Sequence, residues 1–205
     1  LVEDSLTATP PTSYPGKLTA LLYHRYQTFN GSKDHGWVIV PTELVPDNGI
    51  KLKEIVLEQA KRHALPSEFI EWIETANEFC SSLVDRIVPG KPAPELLEEL
   101  TNARGYQDDL LIMSEPYNLW AITGDQRVKD ILSFASVNPG VVIEPNIDLY
   151  RELKLRLLNG THTLAVGLCY LAGKKTVREA MEEPALEEFI SNLMLQELGP
   201  AIPYD

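Results

Sequence analysis

The sequence predicts an α/β part followed by an all-α part, joined near Pro145. Three observations carry this. Short apolar runs alternate with helical patterns as far as Ile143, and beyond Glu144 only helical patterns follow. Trp37-Val-Ile-Val-Pro is continuously apolar and short, which suits a strand covered on both faces, as in a parallel sheet. From Ile147 to Ala172 the chain is rich in leucine yet carries Lys154, Asn159 and His162.

Composition narrows the function classes. The 205 residues are 44% hydrophobic and 8% aromatic, enough for a sizeable core in one large domain or parts of two. A formal charge of −12 argues against a nucleic-acid partner, because phosphate contacts are made by Lys and Arg. No apolar run reaches the length of a membrane span, and Leu1-Val-Glu-Asp is no signal peptide. Cys80 and Cys169 form neither a disulfide framework nor a metal-ligand spacing, and read as buried free thiols of a cytoplasmic protein. Asn30-Gly-Ser and Asn159-Gly-Thr match the glycosylation sequon, which matters only in a secreted chain.

The elements follow in order. Residues 1–16 are rich in Thr, Ser and Pro and read as an irregular leader. Leu18, Leu21, Leu22 and Tyr26 recur at helical spacing over Lys17–Phe29. A loop over Asn30–Gly36 leads into the Trp37–Pro41 strand, and Pro46-Asp-Asn-Gly is a tight turn with positive φ expected at Gly49. Ile50–Arg62 is helical, and a second helix runs from Pro66 to about Asn77 with Ser67 as its N-cap. Ser82–Pro89 is a strand candidate, Glu95–Ala103 a short acidic helix, and Leu110–Ser114 and Asn118–Thr123 two further strand candidates. Asp125–Phe134 is helical and Val141–Pro145 closes the mixed region. Pro145 and Asn146 start the leucine-rich helix. Thr176–Glu182 is a short helix, and Pro184 opens another through Leu198, with Leu186, Phe189, Ile190 and Leu193 inward.

Some chemistry is absent. The chain contains no Gly-x-Gly-x-x-Gly and no Gly-x-x-x-x-Gly-Lys-Ser/Thr, hence no nucleotide fingerprint of its own. It has no His-Glu-x-x-His either, and His24, His35 and His63 stand alone, so no metal site is expected.

The leucine-rich helix then stands out. An amine held in apolar surroundings loses proton affinity and can act as a base near neutral pH. With 100° per residue, Lys154 lies at 0°, His162 at roughly 80° and Asn159 at roughly 140°. An oxygen over that arc meets an amine, an amide N–H and an imidazole together. The plainer reading is that Lys154 and Arg156 reach out to solvent and His162 is a satisfied core residue.

Lys154-Leu-Arg-Leu-Leu-Asn159-Gly-Thr-His162 resembles the catalytic signature, Lys-x-x-x-x-Asn-x-x-His, of the mannitol dehydrogenase family of polyol-specific long-chain dehydrogenases. Three further blocks resemble that family in the same order: Val40–Gly49 with its Asn48-Gly49, Ser82–Pro89 with Val84-Asp85-Arg86-Ile87, and Ser114-Glu115-Pro116 leading to Trp120. The stretches Tyr23–Trp37 and Phe79–Leu83 are most similar to the tagaturonate reductase branch.

The resemblance implies the C-terminal part of a Rossmann-like nucleotide domain over 1–144 and the beginning of a helical substrate domain over 145–205, like the C-terminal domain of 6-phosphogluconate dehydrogenase. It implies NAD-dependent interconversion of tagaturonate and altronate, a small-molecule sugar acid as partner, and no metal. Lys154 becomes the general acid/base, Asn159 and Asn48 steady a developing oxyanion, and His162 orients a substrate hydroxyl. Asp85, with Arg86 and Glu115, falls where nicotinamide and substrate bind, and Arg86 or Arg156 is positioned to clamp a substrate carboxylate. Because no glycine-rich segment is present and the chain opens like the interior of a longer protein, a central fragment is expected, inactive alone. Fructuronate reductase or mannitol dehydrogenase are alternatives within the family. A helical interaction module without catalysis is the alternative of another class.

Without the resemblance the same residues have ordinary readings. Asn48 is a turn residue, Asp85 and Arg86 a charge pair at a strand end, Glu115-Pro116 a turn, and Trp120 a core residue.

Overall fold

The structure, a computed structural model, describes residues 4–203. The chain divides into two units, Leu1–Pro145 and Asn146–Asp205.

In the first unit three helices enclose the main core: α1 (Tyr14–Thr28), α2 (Asn48–Arg62) and α3 (Ser67–Ala76). Leu22, Val56, Phe69 and Ile73 are fully shielded from water, each contributing about 1.5–3 kcal/mol. Tyr23 and Tyr26 set their rings edgewise or tilted against Phe69, with centroids 5.0 and 5.4 Å away. The loop after α1 is tied down by the same cluster. Trp72 Nε1 donates to the Ser32 carbonyl at 2.9 Å, Arg25 Nε donates to that of His35 at 2.6 Å, and the Arg25 guanidinium lies 4.9 Å over both the Phe29 and Trp37 rings. Gly36 passes so close to Ala76 that a Cβ there would sit 1.7 Å from its carbonyl oxygen.

Two small sheets complete this unit. β1 (Val38–Ile39) pairs in parallel with β2 (Glu78–Phe79). β3 (Ser82–Asp85) runs antiparallel to β4 (Leu119–Thr123), which runs parallel to β5 (Val141–Glu144). α4 (Pro94–Arg104) lies in the β3–β4 connection, and α5 (Gln126–Ile131), capped by Asp125, in the β4–β5 crossover. Cys80, Ile122, Val128, Val141 and Ile143 form the second core cluster. Burial and the Glu78 and Asp125 carboxylates push the Cys80 thiol up to about 12.

Several expectations are corrected. Residues 4–13 are irregular as expected, but they are tied together, because the buried Asp4 carboxylate accepts from the backbone N–H groups of Thr12 and Ser13 at 2.7 and 2.8 Å and from the Ser13 hydroxyl. Ser13 in turn caps α1, which therefore begins three residues before Lys17. Positive φ falls on Asp47 (56°), not Gly49, and Asn48 and Gly49 already belong to α2. Pro66 is the cap of α3 and Ser67 its first helical residue, with no side-chain capping bond. Leu110–Ser114 forms no strand. It has no neighbouring strand to pair with beyond one Gly90–Met113 bridge, and Leu110 is 87% exposed.

The second unit is helical: α6 (Asp148–Leu153), a π-helical turn (Lys154–Gly160), α7 (Thr161–Leu171), α8 (Val177–Met181), α9 (Pro184–Asn192) and a second π-helical turn (Leu193–Leu198). The first helix starts at Asp148, because the Asn146 side chain accepts the Asp148 N–H at 2.6 Å, rather than at Pro145 or Asn146. Ala165, Ala180, Leu186 and Ile190 form its core, while Phe189 is exposed and Cys169 only half-buried. The leucine-rich run is not core in this unit: Leu155, Leu164, Val166 and Leu171 all lie exposed. Among the described residues no helix is long and apolar enough to cross a membrane.

Asp4 couples the first unit to pH. The Ser13 hydroxyl bond, helped by the Ser13 and Thr12 amides and by Lys17 and opposed by burial, holds its carboxyl below the usual range. A group depressed in the folded state stabilises it above its ordinary value of about 3.9 and loses that contribution as pH falls through the folded value. Urea midpoints measured from pH 7 down to pH 3 should therefore fall for the native chain, and fall less steeply for Asp4→Asn.

Candidate functional site

Asn48 is the best-connected candidate, and its connections define what it does. Its side chain is buried at the start of α2. Nδ2 donates to the carbonyls of Pro41, Glu43 and Ser82 at 3.1, 3.0 and 3.1 Å, and Oδ1 accepts the Ser82 N–H at 2.8 Å. Three acceptors share its two amide protons. This amide joins the loop after β1, the start of α2 and the start of β3. Gly49 follows from the same docking, since a Cβ there would lie 2.5 Å from the Cys80 backbone.

β3 carries the next candidates. Asp85 is its last residue, half-buried and opposite Leu119 on β4. Just past it, Arg86 Nε donates to the Glu115 carbonyl at 3.0 Å, and the Glu115 carboxylate accepts the Ile87 N–H at 2.7 Å. Glu115 N–H donates back to the Ile87 carbonyl at 3.1 Å. Glu115 therefore closes the excursion between β3 and β4. Local burial and the Asp85 and Glu115 carboxylates raise the Tyr117 hydroxyl above its ordinary range, although the residue as a whole is exposed.

Thr42, Asp85, Arg86, Asn118, Trp120 and Asn138 line an open groove of about 450 Å³ on this unit. That volume suits a small ligand. Trp120, expected as core, is half-buried on β4, stacks on Phe134 with centroids 5.8 Å apart, and has its indole N–H buried without a hydrogen-bond partner.

Lys154, Asn159 and His162 sit on the helical unit. Lys154 is half-buried, and Asn159 and His162 are exposed. They are not the core groups that the leucine run suggested. His162 Nδ1 lies 2.8 Å from the Leu158 carbonyl; as donor there it leaves Nε2 as the outward nitrogen. The Asn159 carbonyl accepts the Thr163 hydroxyl at 2.8 Å. Arg156 is spent within the unit, donating from Nε to Glu152 and from Nη1 to the Ala201 carbonyl at 3.1 Å. Lys154–Gly160 is π-helical, with i→i+5 bonding, so the α-helical arc drawn from 100° steps does not describe it. A second cavity of about 380 Å³, mostly apolar, lies beside His162 and is walled by Thr161, Cys169, Lys174, Thr176 and Ile190. The Thr161 hydroxyl is buried there without a partner. Nothing in the sequence pointed to Thr161, since a threonine after Asn-Gly reads as ordinary helix.

The described residues do not fit the phosphate half of a dinucleotide. A pyrophosphate needs open backbone N–H groups at a glycine-containing helix start. The one helix start with a glycine after a strand, Asn48-Gly49, is filled by its own side-chain bonds and by Cys80. Among the described residues no group of three or more His, Cys, Asp or Glu side chains is placed to hold a metal ion.

A mixed α/β unit followed by a helical unit defines the class: a Rossmann-like domain with a helical C-terminal domain, the arrangement of mannitol and sorbitol dehydrogenases. Residues 3–135 match the family model of the mannitol dehydrogenase Rossmann domain, and residues 146–204 that of the mannitol dehydrogenase C-terminal domain. The chain belongs to the mannitol dehydrogenase family. It is 44% identical over 200 residues to altronate oxidoreductase of Bacillus subtilis strain 168, covering 98% of this chain and 42% of that protein. It is 45% identical over 193 residues to the altronate oxidoreductase of Halalkalibacterium halodurans, covering 94% and 37%. The chain thus spans about two fifths of the length of the relatives it matches.

Two solved structures share the fold. Substrate-free D-sorbitol dehydrogenase has a TM-score of 0.75 at 23% identity, over 98% of this chain and 40% of that one. Pseudomonas fluorescens mannitol 2-dehydrogenase, in ternary complex with NAD and D-mannitol, has a TM-score of 0.63 at 22% identity, over 94% and 37%.

The clamp role of Asn48 predicts a stability effect. Asn48→Ala should cost about 2–4 kcal/mol, since it removes all four hydrogen bonds of a buried amide at once. Asn48→Asp should cost at least as much at pH 7, because it turns a carboxylate toward three carbonyls. Equilibrium denaturation of the purified variants checks both.

Proposed function

We propose that the protein is an NAD-dependent oxidoreductase that interconverts tagaturonate and altronate, with Lys154 as general acid/base and no metal. The observation that carries this reading is the Lys154–Asn159–His162 constellation on one helical element, in a chain 44% identical to an altronate oxidoreductase. NAD supplies the hydride chemistry when bound. The residues of this chain handle the proton and the substrate.

In reduction, the Lys154 ammonium gives a proton to the carbonyl oxygen, and in oxidation the neutral amine takes it from the alcohol. Asn159, whose side-chain amide is exposed while its carbonyl bonds Thr163, donates an N–H to the developing oxyanion. His162, held through Nδ1, presents Nε2 to a substrate hydroxyl. Asp85 and the groove beside it contribute to binding nicotinamide or substrate. Of the two arginines, Arg86 suits a substrate carboxylate better than Arg156. Only its Nε is drawn to Glu115, which leaves the outer guanidinium nitrogens for a fork-like contact, whereas Arg156 already bonds Glu152 and Ala201.

The test uses the full-length enzyme. Lys154→Ala should lower turnover about 10²–10⁴-fold with a much smaller change in KM. Near-normal turnover would sink Lys154 as the proton-transfer group. Assays on tagaturonate, fructuronate and fructose with NADH should give the highest kcat/KM on tagaturonate, and Arg86→Ala should weaken the two uronates far more than fructose.

A further inference from the structure

We infer that the π-helical turn Lys154–Gly160 is the device that puts Lys154, Asn159 and His162 on a single stripe, and that the second π-helical turn holds it in that form. This rests on the reading of Lys154 as the proton-transfer group.

On an α-helix, neighbours on one face lie at i, i+4 and i+7. Lys154, Asn159 and His162 lie at i, i+5 and i+8, so an α-helix splays Asn159 about 140° from Lys154. The structure bonds Lys154–Gly160 in the i→i+5 pattern instead. A π turn takes in one extra residue, which the rest of the helix does not count. Removing that residue from the tally turns i, i+5, i+8 into i, i+4, i+7. Backbone angles at the two junctions remain right-handed helical (Leu153 φ −57°, ψ −49°; Thr161 φ −59°, ψ −46°), so α6, the turn and α7 form one continuous rod. His162 lies just beyond the turn in regular α-helix, three residues from Asn159 and again a same-face neighbour.

A π turn is uncommon and is kept where something supports it. Support comes from the end of the unit. Leu198, the last residue of the second π turn, packs over Gly160, where an added Cβ would lie 3.6 Å from Leu198 Cδ1. Arg156, inside the first turn, reaches the Ala201 carbonyl at 3.1 Å and also bonds Glu152 one turn back. No proline lies within the turn to force the widening.

Two single-residue changes in the full-length enzyme test this. Deleting Leu157 takes out the extra residue and leaves Lys154, Asn159 and His162 at i, i+4, i+7 on a regular helix. Inserting an alanine after Leu157 rotates Lys154 away by about 100°. The expected result is asymmetric: the deletion retains at least tenfold more turnover than the insertion, at a similar KM for NADH. Were the native turn a plain α-helix, both changes would rotate Lys154 equally, and equal losses overturn the proposal. Leu198→Ala tests the support, with kcat expected to fall at least fivefold at unchanged KM for NADH. A drop in Tm with kcat unaffected removes Leu198 from the device. If either length variant fails to fold, the backbone bonding of the unmodified full-length enzyme decides by crystallography, since i→i+4 bonds across 154–160 overturn the inference. Lys154→Ala separates the two claims. If it keeps turnover, the proton-transfer reading fails; if it loses turnover while deletion and insertion act alike, only the register device fails.

Discussion

The four hydrogen bonds of the buried Asn48 amide are what the α/β unit is arranged around. They connect Pro41 and Glu43 after β1, the first residue of α2 and Ser82 at the head of β3. The Pro41 carbonyl also accepts from the Ser82 hydroxyl and the Glu43 carbonyl from the Val45 N–H, so the amide completes a bonded corner away from water. The close pass of Gly49 over Cys80 allows α2 to reach that position. Since Asp85 ends the strand that Ser82 begins, the same amide sets where the groove begins.

Much of the charge near the candidate site serves geometry. Glu115 and Arg86 staple the two ends of a long connection, and Arg156 bridges a helix to the end of its unit. The Asn159 side chain is instead exposed, and His162 is held through Nδ1 with Nε2 outward. The Trp120 indole N–H and the Thr161 hydroxyl are buried and without a hydrogen-bond partner. Each costs free energy unless a ligand or a water meets it.

Periodic stretches were the most legible. The helices at Tyr14–Thr28, Asn48–Arg62 and Pro94–Arg104 follow from apolar spacing and from proline or serine at their starts, and their ends shifted by only a few residues. The family was also legible, because four blocks in order are far more specific than any one of them. Local patterns failed where a partner was decisive. Leu110–Ser114 has the composition of a strand but pairs only through the single Gly90–Met113 bridge. Leucines from Ile147 onward have the composition of a core, yet much of that run is exposed in this unit. Asn48-Gly49 has the composition of a turn, but Asp47 takes the left-handed conformation and frees both residues for the helix.

By itself the sequence determined the class of fold, the family and the residue types available for proton transfer, because periodicity and motif order are properties of the chain alone. Tertiary structure decided which of those side chains remain available. A side-chain amide is the same group whether it faces substrate or three carbonyls, and only packing distinguishes Asn48 from Asn159. It also decided the helical register. Whether Lys154 and Asn159 share a face depends on one extra residue in a turn, and the Leu198 and Ala201 contacts that hold this turn lie about forty residues further along the chain.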